Sequence, residues 1–451
     1  MSAARLVSPR PLVSARQEPP SSRPSPRPIG AAGPAALLLL GLLTPPASVW
    51  AGEPATRPAD PTPQAKREWL SPLLLVLGLP SPPCPRPDGP AAAPGPDGWH
   101  EQWKRLKNRL REKTGTSVGL CVNSQSQVLL NGPQEGRARS VLWWNLGVVQ
   151  ELWAGGKLVV NARGGVGDGL GRYLGAKHNT NWAQDEPRAL YVSHVLLEQK
   201  LLDEKLTLSL GKLDVGDYFD TNAAGDWTFL SYSLARNPTI PFVWHAMGAV
   251  ACYEPCSWLY VQAGAADGRG SGTETGLKTA FHDEDHFLGL FEFGFRPKLG
   301  DRQGNYRFIL WYDGRPVDRV DGNGSERDDV GFAVSFDQQV TEKVTAFLRY
   351  GFAHARLREI ASFWSLGATW TGAVPQRPRD VLGFGVAQAV TGTDYRRANG
   401  AASTETIVEL YYRIRVNEWL SVTPDLQAIV NPGARNRDVG VVAGVGVNLS
   451  F

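Results

Sequence analysis

Residues 404–430 read TETIVELYYRIRVNEWLSVTPDLQAIV. Thr406, Val408, Leu410, Tyr412, Ile414 and Val416 share one face; Glu405, Glu409, Tyr411, Arg413 and Arg415 share the other, with Ile407 out of place. Past the single connecting residue Asn417, the apolar row continues as Leu420, Val422, Pro424, Leu426, Ala428 and Val430, against Ser421, Thr423, Asp425 and Gln427. A side-chain period of two is that of a β-strand. A soluble sandwich alternates too, but here the second face is charged and each run reaches or exceeds the ~10 residues that a tilted strand needs to cross a bilayer. One face suits lipid and the other suits water. The last stretch repeats the pattern, with Val439, Val441, Ala443, Val445, Val447, Leu449 and Phe451 opposite Gly440, Gly444, Gly446, Asn448 and Ser450.

Working back along the chain, sixteen such segments begin near Val118, Val141, Lys157, Arg188, Glu204, Pro241, Ser257, His286, Asn305, Asp328, Lys343, Ala361, Asp380, Thr404, Glu418 and Asp438. Their connections alternate in length. Ala154–Gly156, Leu201–Asp203, Ala251–Cys256 and Val340–Glu342 are short; Gly167–Pro187, Asp214–Ile240, Gly268–Asp285, Pro316–Arg327 and Thr391–Ser403 are long. Short turns at one rim and long loops at the other, with an even strand number, predict an all-β fold: a transmembrane antiparallel barrel of about sixteen strands, both termini on the short-turn side. Closure is a physical requirement, because open strand edges in lipid leave backbone groups unsatisfied. No apolar stretch reaches the ~18 residues of a membrane-spanning helix. Before the first strand, Trp99, Trp103, Leu106 and Leu110 recur at helical spacing in WHEQWKRLKNRLREK, with Gly115 as the stop. This is a short periplasmic helix.

Aromatic residues sit near the strand ends, among them Trp143, Trp144, Trp153, Trp258, Trp311, Trp364, Trp370 and Trp419, as at the two interfaces of a bilayer. Several long runs then carry a family likeness: LLEQKLLDEKLTLSLGKLDVGDYFDTN (196–222), NPTIPF (237–242), NYRFILWYD (305–313), FDQQVTEKVTAFLRYGFA (336–353), FWSLGATWTGAVPQRPRDVLGFGVAQA (363–389) and ELYYRIRVNEWLSVTPDLQAIVNPG (409–433). From about Trp99 to Phe451 the chain resembles the OprB-type carbohydrate-selective porins. The resemblance implies a sixteen-stranded barrel in the bacterial outer membrane and passive uptake of glucose-like sugars. The terminal Phe451 resembles the signal read by the barrel-assembly machinery.

A sugar entering a narrow pore gives up water hydrogen bonds that the wall must replace with carboxylates, amides, guanidinium groups and aromatic faces. By strand period the pore-lining candidates are Glu198, Lys200, Arg349, Glu409, Arg413, Asp425 and Gln427, with Asp313 and Arg415 in the same rows. Each can equally be a solvated wall charge with no substrate role. The 214–240 connection adds Asp214, Asp217, Asp220 and Asn222, interleaved with Tyr218, Phe219 and Trp227. Folded inward, this loop narrows the lumen; folded outward, it meets only other loops. Mono- or oligosaccharides are the expected cargo, outer-membrane lipid and lipopolysaccharide the surroundings, and a homo-oligomer is compatible with the apolar exterior.

Charge is nearly balanced, 47 Lys+Arg against 44 Asp+Glu, which gives no reason to expect nucleic acid. A general or ion-selective porin is the main rival reading, and a non-conducting envelope anchor a further one. A barrel enzyme needs a nucleophile with a base near one rim; no Gly-x-Ser-x-Gly elbow occurs, and of the seven His, His194 and His245 lie in expected strands. No cofactor is implied. His282-Asp-Glu-Asp-His286 has metal-like composition but falls in an expected external loop, where an acidic solvated segment suffices. Cys252 and Cys256 bracket Tyr-Glu-Pro; in an oxidising periplasm they close a small disulfide loop or stay as two thiols. Residues 1–51 run from an Arg-rich start through AALLLLGLL to Ala-Ser-Val-Trp-Ala, the order of a secretory signal. Residues 52–98 read as a Pro-rich linker, leaving 99–451 as the barrel.

Overall fold

The structure, a computed structural model, describes residues 98–451 except 178, 184–188, 226, 281–285 and 436–438. The expected targeting segment and the linker before Gly98 lie outside the described residues, as does most of the His282–His286 motif. His286 itself places Nδ1 3.2 Å from the Gly314 carbonyl.

Sixteen long antiparallel strands follow one another: β1 (Thr116–Asn131), β2 (Ala138–Trp153), β3 (Gly156–Gly167), β4 (Tyr191–Leu201), β5 (Leu206–Leu213), β6 (Ala246–Cys256), β7 (Leu259–Asp267), β8 (Phe287–Phe295), β9 (Arg302–Asp313), β10 (Asp329–Gln339), β11 (Val344–Phe352), β12 (Ile360–Thr371), β13 (Val381–Thr391), β14 (Thr404–Arg415), β15 (Leu420–Val430) and β16 (Gly440–Ser450). A two-residue strand, Lys298–Leu299, adds a ladder at the rim between β8 and β9. Each long strand pairs with its sequence neighbours, and β1 pairs with β16 from Cys121↔Ser450 to Asn131↔Val441, which closes the barrel. Every expected strand start falls near an observed one, the largest offset being Pro241 against Ala246.

The pattern of burial is that of a soluble protein turned inside out. On β14, Glu405, Ile407, Glu409 and Tyr411 are buried while Leu410 is 45% exposed; on β15, Asp425 and Gln427 are buried while Leu426 is 47% exposed. Around the barrel the outward rows expose Leu146, Val166, Leu210, Phe291, Leu310, Phe332, Leu348, Leu366 and Phe384. Exposing so many large apolar side chains to water costs about 25 cal/mol per Å². Against hydrocarbon the same surface is favourable, and the inward polar rows belong to a wet interior.

Helix α1 (Trp99–Thr114) lies at the short-turn rim and stops at Gly115, whose φ of 70° is left-handed and whose N–H donates to the Arg111 carbonyl at 2.9 Å. Only glycine adopts that conformation without a steric penalty. The helix crosses the β16–β1 seam. Trp99 sits 5.4 Å from Trp419 and 5.7 Å from Phe451, Lys104 donates to Glu418, and the far end meets β2 where Glu151 N–H donates to the Gly115 carbonyl at 2.9 Å.

The disulfide expected as one alternative for Cys252 and Cys256 is absent: both are free thiols. The Tyr-Glu-Pro between them is not a turn but part of β6, and the chain reverses only after Cys256. Four residues of extended chain separate Cα atoms by about 13 Å, beyond the ~7 Å limit for a disulfide.

Candidate pore constriction

The lumen is filled by two connections. Residues 214–245, between β5 and β6, turn inward from the barrel wall and cross to the opposite strands. The described residues of the 168–190 connection, between β3 and β4, do the same from the other side. Each is a run of backbone inside a wall, so its amides and carbonyls need partners, and the inward polar rows supply them.

Glu409 on β14 accepts from Leu230 N at 2.6 Å and from Ser231 N at 2.9 Å. Glu292 on β8 accepts from Asp220 N at 3.3 Å, and from Tyr260 Oη and Gln262 Nε2 at 2.6 and 2.9 Å. Asp337 on β10 accepts from Ala223 N and from Arg307 Nη1. Arg349 on β11 is fully buried; its Nε donates to Asp220 Oδ1 at 3.1 Å, its Nη1 to the Leu234 carbonyl and its Nη2 to the Asp220 carbonyl. Asn222 donates to Ser335 Oγ and the Phe336 carbonyl and accepts from Ala224 N and Gly225 N. The second connection is held alike. Gln127 on β1 and Gln427 on β15 both donate to the Thr180 carbonyl, and Glu405 accepts from Lys177 N. The two connections also bond each other, Trp182 N to the Leu230 carbonyl and Tyr232 N to the Asn179 carbonyl, both at 2.9 Å.

Apolar packing completes the seating. Val215, Phe219, Ile240 and Val243 from the longer connection pack on Leu288, Leu290, Ile309, Trp311 and Ala333 of β8–β10. Phe229 and Leu234 pack on Phe347, Phe363 and Tyr411. Leu170 and Leu174 of the shorter connection pack on Leu129, Ile407, Ile429 and Val442. Ile407, the residue that broke the alternation, is the floor for this second contact.

Between the two connections and β3 lies a recess lined by Arg163, Trp182, Asp214, Gly216, Asp217, Trp227, Tyr232, Arg236, Phe242 and Trp244. The Trp182 and Trp227 rings meet edge to face at 4.9 Å, and Trp143 joins them at 5.5 Å. The Arg236 guanidinium lies 4.7 Å from the Trp227 ring centre and 3.9 Å from the Asp217 carboxylate. Asp217 also faces His194 Nε2 at 3.3 Å, and Asp214 accepts from Gly216 N at 2.8 Å. Aromatic faces, carboxylates and guanidinium groups therefore converge on one opening.

Of the residues expected to line the pore, Asp214 and Asp217 reach this recess. Asp220, Asn222, Arg349, Glu409 and Gln427 are buried in the contacts that seat the two connections, and Asp425 accepts from Gln427 Nε2 at 2.9 Å. Glu198 pairs with Lys157 at 2.8 Å on the wall, Lys200 pairs with Glu204 at the short-turn rim, and Arg413 stands half-buried further along the Glu409 row. Sequence reasoning did not single out Arg163, Trp182, Tyr232, Arg236, Phe242 or Trp244. Apart from Arg163, which lies on β3, they fall in the two long connections, and apolar residues interrupt the polar rows where those connections pack.

The family model described as carbohydrate-selective porin, OprB family, matches residues 145–451. The chain belongs to the OprB family. Similar curated relatives include Porin AaxA of Chlamydia abortus, 24% identical over 57% of this chain and 57% of that protein. Porin B of Pseudomonas aeruginosa is 27% identical over 43% of this chain and 52% of the relative. The chain thus spans little more than half the length of the curated relatives it matches. Among solved structures, the high-pH form of Pseudomonas putida OprB superposes with a TM-score of 0.71 at 21% identity, covering 78% of this chain and 97% of that one. That likeness establishes the fold. Family and fold together place this OprB-family chain in the bacterial outer membrane.

Proposed function

We propose that the barrel passes mono- or short oligosaccharides of glucose-like chemistry by passive diffusion, and that the recess between the two inward connections is where a sugar is transiently held. The observation that carries this reading is the makeup of that recess. Trp182, Trp227, Tyr232, Phe242 and Trp244 offer ring faces, while Arg163, Asp214, Asp217 and Arg236 offer donors and acceptors of both signs. A pyranose has an apolar C–H face that stacks on an aromatic ring and a girdle of hydroxyls that both donate and accept. Balanced charge suits a neutral polyol better than an ion, which a ring of one sign favours. Transport also demands that binding be weak enough to allow exit.

A further assignment belongs to the same reading: the apolar exterior accommodates lipid, lipopolysaccharide or a second copy. The test of the transport reading is single-channel current in a planar bilayer during titration with glucose and, separately, a non-sugar osmolyte of similar size. Saturable block by glucose alone supports it. An open channel indifferent to both makes the protein a general porin, and no channel from folded, heat-modifiable protein refutes transport altogether.

A further inference from the structure

Helix α1 has an apolar stripe that the barrel does not bury. At about 100° per residue, Trp99, Trp103, Leu106 and Leu110 fall within one narrow band. None of the four is buried, and Trp99 and Leu106 are each 55% exposed. The helix nevertheless has a fixed seat. His100, Lys104 and Arg111 lie on the adjacent side of the wheel, and that side meets the barrel: Lys104 and His100 face Glu418, and Arg111 Nη2 lies 3.4 Å from Glu151. The stripe therefore points neither into the barrel nor directly away from it, but along the rim.

Its direction follows from its neighbours. Phe451 continues the outward row of β16, pairing with Leu120 on β1 through backbone bonds of 2.8 and 3.3 Å, and the tilted Trp99 ring packs against it at 5.7 Å. Trp419 stacks on Phe451 at 6.0 Å, on the same side. The stripe is thus continuous with the surface that faces lipid. The charges are sorted around it. Lys107 borders the stripe on one edge, with Nζ 5.8 Å from the Trp103 ring centre, and Lys113 and Arg109 border the other edge. The two acids, Glu101 and Glu112, fall on the opposite side of the wheel. Basic residues flanking an apolar stripe, with acids placed furthest from it, is the layout of a helix lying in a membrane interface, where long cationic side chains reach the headgroups while their stems cover apolar surface.

We propose that α1 is a lipid-binding element: it lies in the periplasmic-side interface across the β16–β1 seam and takes anionic phospholipid headgroups through Lys107, Arg109 and Lys113. Phospholipid is the occupant because the stripe needs acyl chain and the flanks need phosphate, and a bilayer presents both at this depth. A soluble phosphate supplies only the second.

The experiment is amide hydrogen exchange over residues 100–114 of the full chain. The protein is held in nanodiscs of phosphatidylcholine alone or of phosphatidylcholine with a quarter phosphatidylglycerol. Each Lys or Arg at an anionic surface contributes about fivefold, so three give on the order of a hundredfold. Protection of the helix should rise at least tenfold in the anionic discs. That rise should vanish in Lys107→Gln/Arg109→Gln/Lys113→Gln and at 0.5 M salt, and should not be reproduced by adding inorganic phosphate to neutral discs. Equal protection in the two lipids, or an equal gain from phosphate, overturns the proposal. Unchanged heat-modifiable migration of the triple variant confirms an intact barrel, so loss of the lipid effect there reports the headgroup contact and not misfolding.

Discussion

Arg349→Met is the sharpest probe of how the constriction is held. The native side chain is fully buried, and its guanidinium makes the Asp220 carboxylate contact and two carbonyl contacts to the 214–245 connection. Methionine of similar length removes all three and leaves Asp220 with Asn237 N, at 2.8 Å, as its remaining charge-stabilising donor. Asp220 also has a φ of 58°, a left-handed backbone that costs a non-glycine residue roughly 1–2 kcal/mol and that the clamp holds in place. Breaking a buried ion pair by deleting one partner costs about 3–5 kcal/mol. Water in the lumen softens this, so about 3 kcal/mol is the expected loss, roughly a hundredfold in the open-to-seated ratio of the connection. The loss is local, because β11 keeps its ladders to β10 and β12. Amide exchange over residues 215–237 should accelerate by about that factor while the strands stay protected, and single-channel current should become larger and noisier. Much of the cost is the stranded carboxylate, so Arg349→Met/Asp220→Asn should recover about 1–2 kcal/mol, asparagine tolerating the same backbone. Unchanged exchange in the single variant, or no recovery in the double, refutes the clamp.

Ile407→Ala removes the apolar floor under Leu170 and Leu174 and should loosen the shorter connection by about 2–4 kcal/mol, read as faster exchange at residues 170–176 with β14 unaffected; equal exchange discards that packing role. Trp227→Ala deletes one ring face of the recess and should raise the glucose concentration for half-block about three- to tenfold without closing the channel; an unchanged half-block concentration moves sugar binding elsewhere. The Lys104 ammonium beside Glu418 holds its carboxyl below the ordinary value of 4.5, so its contribution to α1 docking is present above that value and lost as pH falls through the lowered one. Protection factors over 100–114 in neutral detergent should hold at pH 6 and fall only once the pH is below 4.5, whereas Glu418→Gln should flatten the profile. Cys252 and Cys256 should each take one maleimide when the protein is unfolded without reductant, and failure of both to label means that they are bridged.

Strand number, register side and both rims were legible because a membrane barrel writes its wall in one dimension. Leu410 against Glu409 and Leu426 against Asp425 state the lipid face and the lumen face residue by residue, and no long-range information is required. The role of the inward charges was not legible. Glu409, Gln427 and Arg349 satisfy period two equally well whether they meet sugar, water or backbone, and the partners that decide this, Leu230 N, the Thr180 carbonyl and the Leu234 carbonyl, are far away in sequence. The recess was missed for the same reason. Arg163 comes from a strand, Trp182 from one connection and Arg236 from another, and no spacing rule links them.

The apolar interruptions of the polar rows carry the missing information. A lumen wall in contact with water gains nothing from Leu129, Leu290, Ile309, Phe347, Ile407 or Ile429, because an inward apolar residue left wet forgoes the burial that would stabilise it. Each of these is buried under a connection instead. The wall therefore encodes two things in one alternating pattern: the outward row specifies insertion, and defects in the inward row specify where a loop is seated. The carboxylates and amides beside those defects then fix the loop largely by its backbone, while Trp227, Tyr232 and Arg236 line the recess. On this logic the tryptophans and arginines of the recess can vary with the cargo while Glu409, Arg349 and Ile407 hold the scaffold. Exchanging recess residues should shift which solute blocks the channel, and exchanging the seats should shift how wide and how steady the channel is.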